Sequence, residues 1–241
     1  VLGAFESDGN RSEHDRIAVV QTDWLDYWGS VERCSIGAAL VDEPPSTIST
    51  HDLGVHTTDR WIGDHDPTGW LATNRAEIIG MAAPSQSTRD TFVSKFGGKA
   101  YEDGKTLLDK EELDVVSLTL PNIFHKELTM LAASKGINVV CEKPLAINLQ
   151  DATEMVDVAK KSGIELLYAE QIIFAPRYQK VKELIDSGSF GEIVHLSHRE
   201  RHGGPHAKWF RDPKLSGGGV TMDMGIHGIG LISYLLKPAK V

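Results

Sequence analysis

Short strands alternating with helices predict an α/β chain, built on a parallel sheet covered by helices on both faces. Two observations carry this. From residue 76 onward, β-branched or apolar runs recur, each closed by glycine or proline and followed by a helical stretch. The residues with chemical character, Pro121-Asn122 and Glu142-Lys143-Pro144, directly follow two of those runs. Ligands of parallel sheets bind at the carboxyl ends of strands, so this is where a site belongs.

Residues 16–20 (Arg-Ile-Ala-Val-Val) form the first candidate strand. The apolar run 76–82 ends at Pro84 and reads as the next. A helix over 87–96 stops at Gly97-Gly98, and a short helix covers 107–113. Residues 114–120 are β-branched and closed by Pro121, hence a buried strand. Helix 125–135 carries Leu128, Leu131 and Ala132 on one face and ends at Gly136. Strand 137–141, helix 149–162, strand 164–169 and helix 176–187 continue the alternation. A longer alternating strand is expected over 193–202, and a helix over 225–236.

The 241 residues are 41% hydrophobic and 24% charged, an ordinary globular composition. No contiguous apolar run approaches the ~20 residues that span a bilayer, and no secretory signal is visible, so no membrane partner is expected. Cys34 and Cys141 lie far apart in no metal or redox spacing, which fits a cytoplasmic protein. The net charge of −9 argues against a nucleic-acid partner, because phosphates need Lys and Arg. The charge is unevenly placed. Residues 1–75 hold five Arg, no Lys and thirteen acidic side chains, and four of the five Trp. No helical period is sustained there. His51, His56, Asp59, Asp64, His65 and Asp66 match no familiar ligand spacing, and a solvated acidic loop is expected rather than a metal site.

Three features could carry chemistry. Lys143 leaves an apolar strand end, where an ammonium can hydrogen-bond a hydroxyl oxygen or move a proton; the plain alternative is a solvated Glu142-Lys143 pair. Asp223 and His227 are four apart and would share a helical face, following the close-approach glycines Gly217 to Gly219. Such a pair can bind a polyol and relay a proton, or can be an ordinary Asp beside a buried His. His198 to His206, followed by Trp209-Phe210, suits a sugar pocket in which polar groups hold hydroxyls and a ring stacks on the sugar, or is simply a polar loop.

Taken in order, Leu120-Pro121-Asn122 with His125, Cys141-Glu142-Lys143-Pro144-Leu145, Glu183 to Gly188 with Gly191-Glu192-Ile193, and Gly217 to His227 resemble the Gfo/Idh/MocA oxidoreductases. The resemblance runs from about residue 76 to the end. It implies a Rossmann-type doubly wound sheet over residues 1–145 and a partial α/β open-sheet substrate domain over 146–241. It implies NAD or NADP as cofactor, held near Pro121, Asn122, His125, Glu142, Lys143 and Ser85. Lys143, Asp223 and His227 become the catalytic residues, and Lys143, His202, His206, Trp209, Asp223 and His227 the contacts to a sugar or polyol substrate. It implies a possible homo-oligomer. Two departures stand out. The family's glycine-rich turn after the first strand is replaced by Gln21-Thr22-Asp23-Trp24-Leu25-Asp26. The second strand ends in Ala82-Ala83-Pro84-Ser85 rather than an acidic residue, with Arg89 nearby. A non-catalytic ligand-binding or scaffolding relative, and a glycosidase using bound NAD, stay open beside the dehydrogenase.

Overall fold

The structure is a computed structural model that describes residues 15–21, 62–201, 204–205 and 207–236. In chain order the elements are β1 (Asp15–Gln21), α1 (Ile62–Ala72), β2 (Ala76–Ala82), α2 (Gln86–Phe96), β3 (Lys99–Tyr101), α3 (Gly104–Lys110) and β4 (Val115–Thr119). Then come α4 (His125–Ser134), β5 (Asn138–Glu142), α5 (Leu149–Ser162), β6 (Leu166–Ala169), α6 (Pro176–Asp186), α7 (Pro213–Ser216) and α8 (Ile226–Leu236). The six strands form one sheet in the order β3-β2-β1-β4-β5-β6, every pairing parallel. This is the doubly wound Rossmann order, with its switch point between β1 and β4.

Period-two alternation feeds both faces of the sheet. Val116 and Leu118 of β4 and Val139 and Cys141 of β5 enter one apolar cluster, together with Leu128, Ala132 and Met155 from the helices. Val115 and Val140 enter the opposite cluster with Trp70, Met81 and Phe92. Each Val, Leu, Met or Phe among them taken fully out of water stabilises the fold by about 1.5–3 kcal/mol. Caps set the helix starts. Ser85, Asp103 and Asn148 accept hydrogen bonds from the backbone N–H groups of Thr88, Thr106 and Asp151.

Four expectations change. Helix α1 was not expected, because Gly63, Pro67 and Gly69 break the period; Trp70, 4% exposed, anchors it to the sheet. The edge strand β3 is only three residues long, too short to announce itself. The described part of the 193–202 segment, residues 193–201, forms no strand: Val194 is 89% exposed, and among the described residues no neighbouring strand supplies a ladder. Alternation alone cannot make a strand without a partner. Finally, β6 pairs with β5 in the main sheet, so the expected division at residues 145/146 falls inside the β5–α5–β6 connection.

Within residues 213–236 an 18-residue stretch reaches a mean hydropathy of 1.2, apolar enough by composition to cross a membrane, yet Gly217 caps α7 in the left-handed conformation and separates it from α8. The sequence predicts no contiguous apolar run of that length, and Lys214, Asp223 and the glycines do interrupt this stretch. Asp223 and His227 within it face groups on the sheet half, as described below.

Candidate active site

The site assembles where β4, β5 and β6 end. Strand β5 delivers Glu142 buried at 7% exposure, and Glu142 Oε2 accepts the Lys143 backbone N–H at 3.0 Å. The Lys143–Pro144 peptide bond is cis. Lys143 Nζ donates to Asp223 Oδ1 and to the Asp223 carbonyl, both at 2.8 Å. The two side chains are 9% and 17% exposed, so the pair is poorly solvated and its attraction is stronger than that of a surface pair. This excludes the solvated Glu-Lys alternative for Lys143. An ammonium has three N–H donors, and two of them go to Asp223.

Asp223 lies in a π-helical turn, Thr221–Gly225, that leads into α8. Asp223 and His227, expected to share one helical face, reach side chains at the ends of two different strands. Asp223 faces the end of β5. His227 Nδ1 lies 2.5 Å from Oε1 of Glu170, the residue directly after β6. Sequence reasoning missed Glu170. Its position just past a strand is the signal that marked Lys143, and it would have served here too.

Asn122, 3% exposed, donates from Nδ2 to the Ser216 carbonyl at 2.8 Å and so ties the end of β4 to α7. Gly217, at φ +76°, follows directly. A Cβ there would stand 2.6 Å from the Ile147 Cβ. The close approach that this glycine permits is therefore to the β5–α5 loop, not to a ligand.

His125 is corrected as a cofactor contact. It is 0% exposed, with Nδ1 3.0 Å from the Pro144 carbonyl and Nε2 2.9 Å from the Leu120 carbonyl. It braces the two strand-end loops from beneath and has no surface to present. Burial pushes its pKa below the ordinary value, outweighing the carbonyl contacts that favour the charged form.

Pro121 is buried beside Asn122. Ser85 caps α2, with Ser87 Oγ at 2.8 Å from its hydroxyl. Arg89 is turned inward: Nη1 donates to the Ala83 and Pro84 carbonyls and Nη2 to Gln86 Oε1. Trp209 stacks on Phe210 with centroids 3.9 Å apart. His202 and His206, the turn after β1 and the acidic cluster from His51 to Asp59 lie outside the described residues, as do the side chains of Asp64, His65 and Asp66. Among the described residues no group of three or more His, Cys, Asp or Glu is placed to hold a metal ion.

Comparison with known proteins places this arrangement. Residues 61–169 match the oxidoreductase family with an NAD-binding Rossmann fold, GFO_IDH_MocA, and residues 178–241 match the GFO/IDH/MocA C-terminal domain. The chain belongs to the Gfo/Idh/MocA oxidoreductase family. It is 34% identical over 170 residues to D-glucoside 3-dehydrogenase of Escherichia coli (strain K12), covering 69% of this chain and 48% of that protein. It is 32% identical over 175 residues to glucose-6-phosphate 3-dehydrogenase of Bacillus subtilis (strain 168), covering 70% and 49%. The chain thus spans about half the length of these relatives. Among solved structures, GenD2 from gentamicin A biosynthesis, in complex with NAD, shares the fold with a TM-score of 0.70 at 19% identity, over 98% of this chain and 57% of that one.

The described residues fit the nicotinamide end of such a cofactor by the chemistry of their donors. A poorly solvated ammonium and an imidazole stand past the carboxyl ends of β5 and β6, on the side of the sheet where ligands of parallel sheets bind.

Proposed function

We propose that the chain is the catalytic core of an NAD(P)-dependent dehydrogenase that oxidises a secondary hydroxyl of a sugar, glycoside or polyol. One observation carries the reading: Lys143 is held by Asp223 at the end of β5, a half-buried charge pair placed where ligands of parallel sheets bind. Two relatives are named for dehydrogenation at position 3 of glucosides and of glucose 6-phosphate, which favours a pyranose hydroxyl as substrate.

The bound cofactor supplies an oxidised nicotinamide ring, the acceptor of the two-electron hydride. The chain's residues do the rest. Lys143 directs its remaining N–H at the substrate hydroxyl oxygen and stabilises negative charge there as the carbinol C–H bond breaks. His227 accepts the hydroxyl proton, so a ketone forms and the proton resides on imidazole. Asp223 holds the ammonium in place, and Asn122 and His125 fix the two loops that carry the site. Asp223, Trp209, His202 and His206 complete the substrate contacts in this reading, and Glu142, Pro121 and Ser85 lie on the cofactor side. A cytoplasmic location belongs to the same proposal.

The test is a titration of the chain with NADH and with NADPH, followed by nicotinamide fluorescence. Saturable binding of either supports the reading. Arg89 is committed to backbone carbonyls, so the experiment also asks whether this strand end prefers either dinucleotide. No binding up to millimolar concentrations of both would remove the dehydrogenase and leave a ligand-binding relative.

A further inference from the structure

Glu170 has no place in the resemblance, yet its carboxylate meets the imidazole on which the proposed proton transfer depends. The contact joins residues 57 apart in sequence, at 2.5 Å, with side-chain exposures of 6% for Glu170 and 10% for His227. An ionised carboxylate only accepts hydrogen bonds, so the imidazole nitrogen facing it must carry the hydrogen. We propose that Glu170 is a positioning residue for His227: it fixes the neutral imidazole as the Nδ1–H tautomer and turns the Nε2 lone pair to the substrate hydroxyl. The inference rests on the dehydrogenase reading for its purpose, but not for its geometry.

Two further observations separate this from a plain tether between β6 and α8. The first is a notch. A Cβ at Gly230, three residues past His227 on α8, would stand 2.8 Å from Glu170 Cγ and 3.4 Å from Oε2. Any side chain at 230 would push into the slot the carboxylate occupies. The second is cost. Glu170 Oε2 is buried without a hydrogen-bond partner among the described residues, while Oε1 receives both His227 Nδ1 and the Ile172 N–H, the latter at 3.4 Å. A half-satisfied buried carboxylate is a poor way to hold a helix, because an apolar pair of similar shape is at least as stable. What it does to the imidazole accounts for a carboxylate at this place, the logic by which a buried carboxylate orients a catalytic histidine.

The decisive measurement is the ¹⁵N spectrum of the histidine rings in the full chain, with the His227 signals assigned by their loss in His227→Gln. The expected result is a protonated Nδ1 and a bare Nε2 in the unaltered chain, moving toward the Nε2–H form in Glu170→Gln. Gly230→Ala should shift the tautomer the same way with both partners chemically intact. In turnover, Glu170→Gln should lower kcat by about ten- to a hundred-fold with KM changed much less. A bare Nδ1 in the unaltered chain, or signals unmoved by both substitutions, overturns the inference, even where cofactor titration upholds the dehydrogenase. The expected tautomer pattern in a chain that binds no dinucleotide would uphold the positioning geometry and remove the dehydrogenase reading instead.

Discussion

At the scale of single residues, the site is a small number of charges taken out of water. Replacing Lys143 by Met keeps much of the side chain's bulk and leaves Asp223, 17% exposed, without its cation. Breaking a buried pair on one side costs about 3–5 kcal/mol, and the residual exposure here reduces that to about 1–3 kcal/mol. Urea unfolding should show this loss, and Lys143→Met with Asp223→Asn together should cost less than the two singly. A double substitution that is simply additive would mean that the pair is not coupled. Turnover by Lys143→Met should fall by about 10²–10⁴. Lys143, Asp223 and His227 were legible because chemistry-bearing side chains past a strand or a glycine run stand out from their neighbours. The role of His125 was not legible, since a buried brace and an exposed ligand are the same letter. Its pH signature distinguishes them. Burial lowers its folded-state pKa, so below the ordinary value of about 6.5 the unfolded chain binds the proton that the folded chain refuses. The His125 contribution is therefore fully present above about pH 6.5 and declines as the pH falls toward the lowered value, by up to about 1.4 kcal/mol per pH unit. Compared by urea unfolding at pH 7.5 and 5.5, the unaltered chain's advantage over His125→Gln should shrink at the lower pH. An advantage that stays constant or grows on acidification would contradict this.

At the scale of elements, period and punctuation located most of the sheet and failed where a partner decides. Strands β4 and β5 are apolar on both faces because both faces are covered, and they read as buried runs. Residues 193–202 alternate just as a half-buried strand would, yet a ladder needs a neighbour and the described residues supply none. Helix α1 hid behind Pro67 and two glycines, and only packing by Trp70 betrays it. The glycine run 217–219 shows how one residue type plays unlike roles at adjacent positions. Gly217 has φ +76°, and an added Cβ would meet Ile147 at 2.6 Å from its Cβ and 2.8 Å from its Cα. An added Cβ at Gly219 meets nothing within 4 Å. Gly217→Ala should therefore destabilise by about 2–4 kcal/mol, from backbone strain and overpacking together. Gly219→Ala should stay within about 0.5 kcal/mol of the unaltered chain. Equal midpoints in urea for the two variants would show that the loop yields, and that Gly217 is not what sets the distance between α7 and the end of β5.

At the scale of the whole molecule, stability is unevenly shared between two parts that the site joins. Among the described residues, the sheet is flanked by clusters of seventeen and ten buried hydrophobic residues. The part carrying Asp223 and His227 has a cluster of three, Ile172, Leu231 and Leu235, and α6 buries no residue at all. Local opening follows buried apolar contact, so α6 and α8 should exchange their amide hydrogens faster than β4 and β5. Beside the small cluster around Leu231 and Leu235, two polar contacts restrain α8: Glu170 on His227, and Lys143 on Asp223 in the turn before it. These bonds link the groups of the proposed reaction to the groups that keep the less stable part in place. Removing one should release α8 while leaving the sheet alone. Hydrogen exchange followed by mass spectrometry should show Asp223→Asn speeding exchange across 226–236 with β4 and β5 unchanged. A substrate or cofactor that engages Lys143 and His227 should slow exchange in the same segment, because a ligand of the closed arrangement stabilises it by mass action. Exchange in α8 as slow as in β5 would mean that the two parts unfold as one unit. The site would then be a consequence of a single rigid fold rather than the joint that closes it.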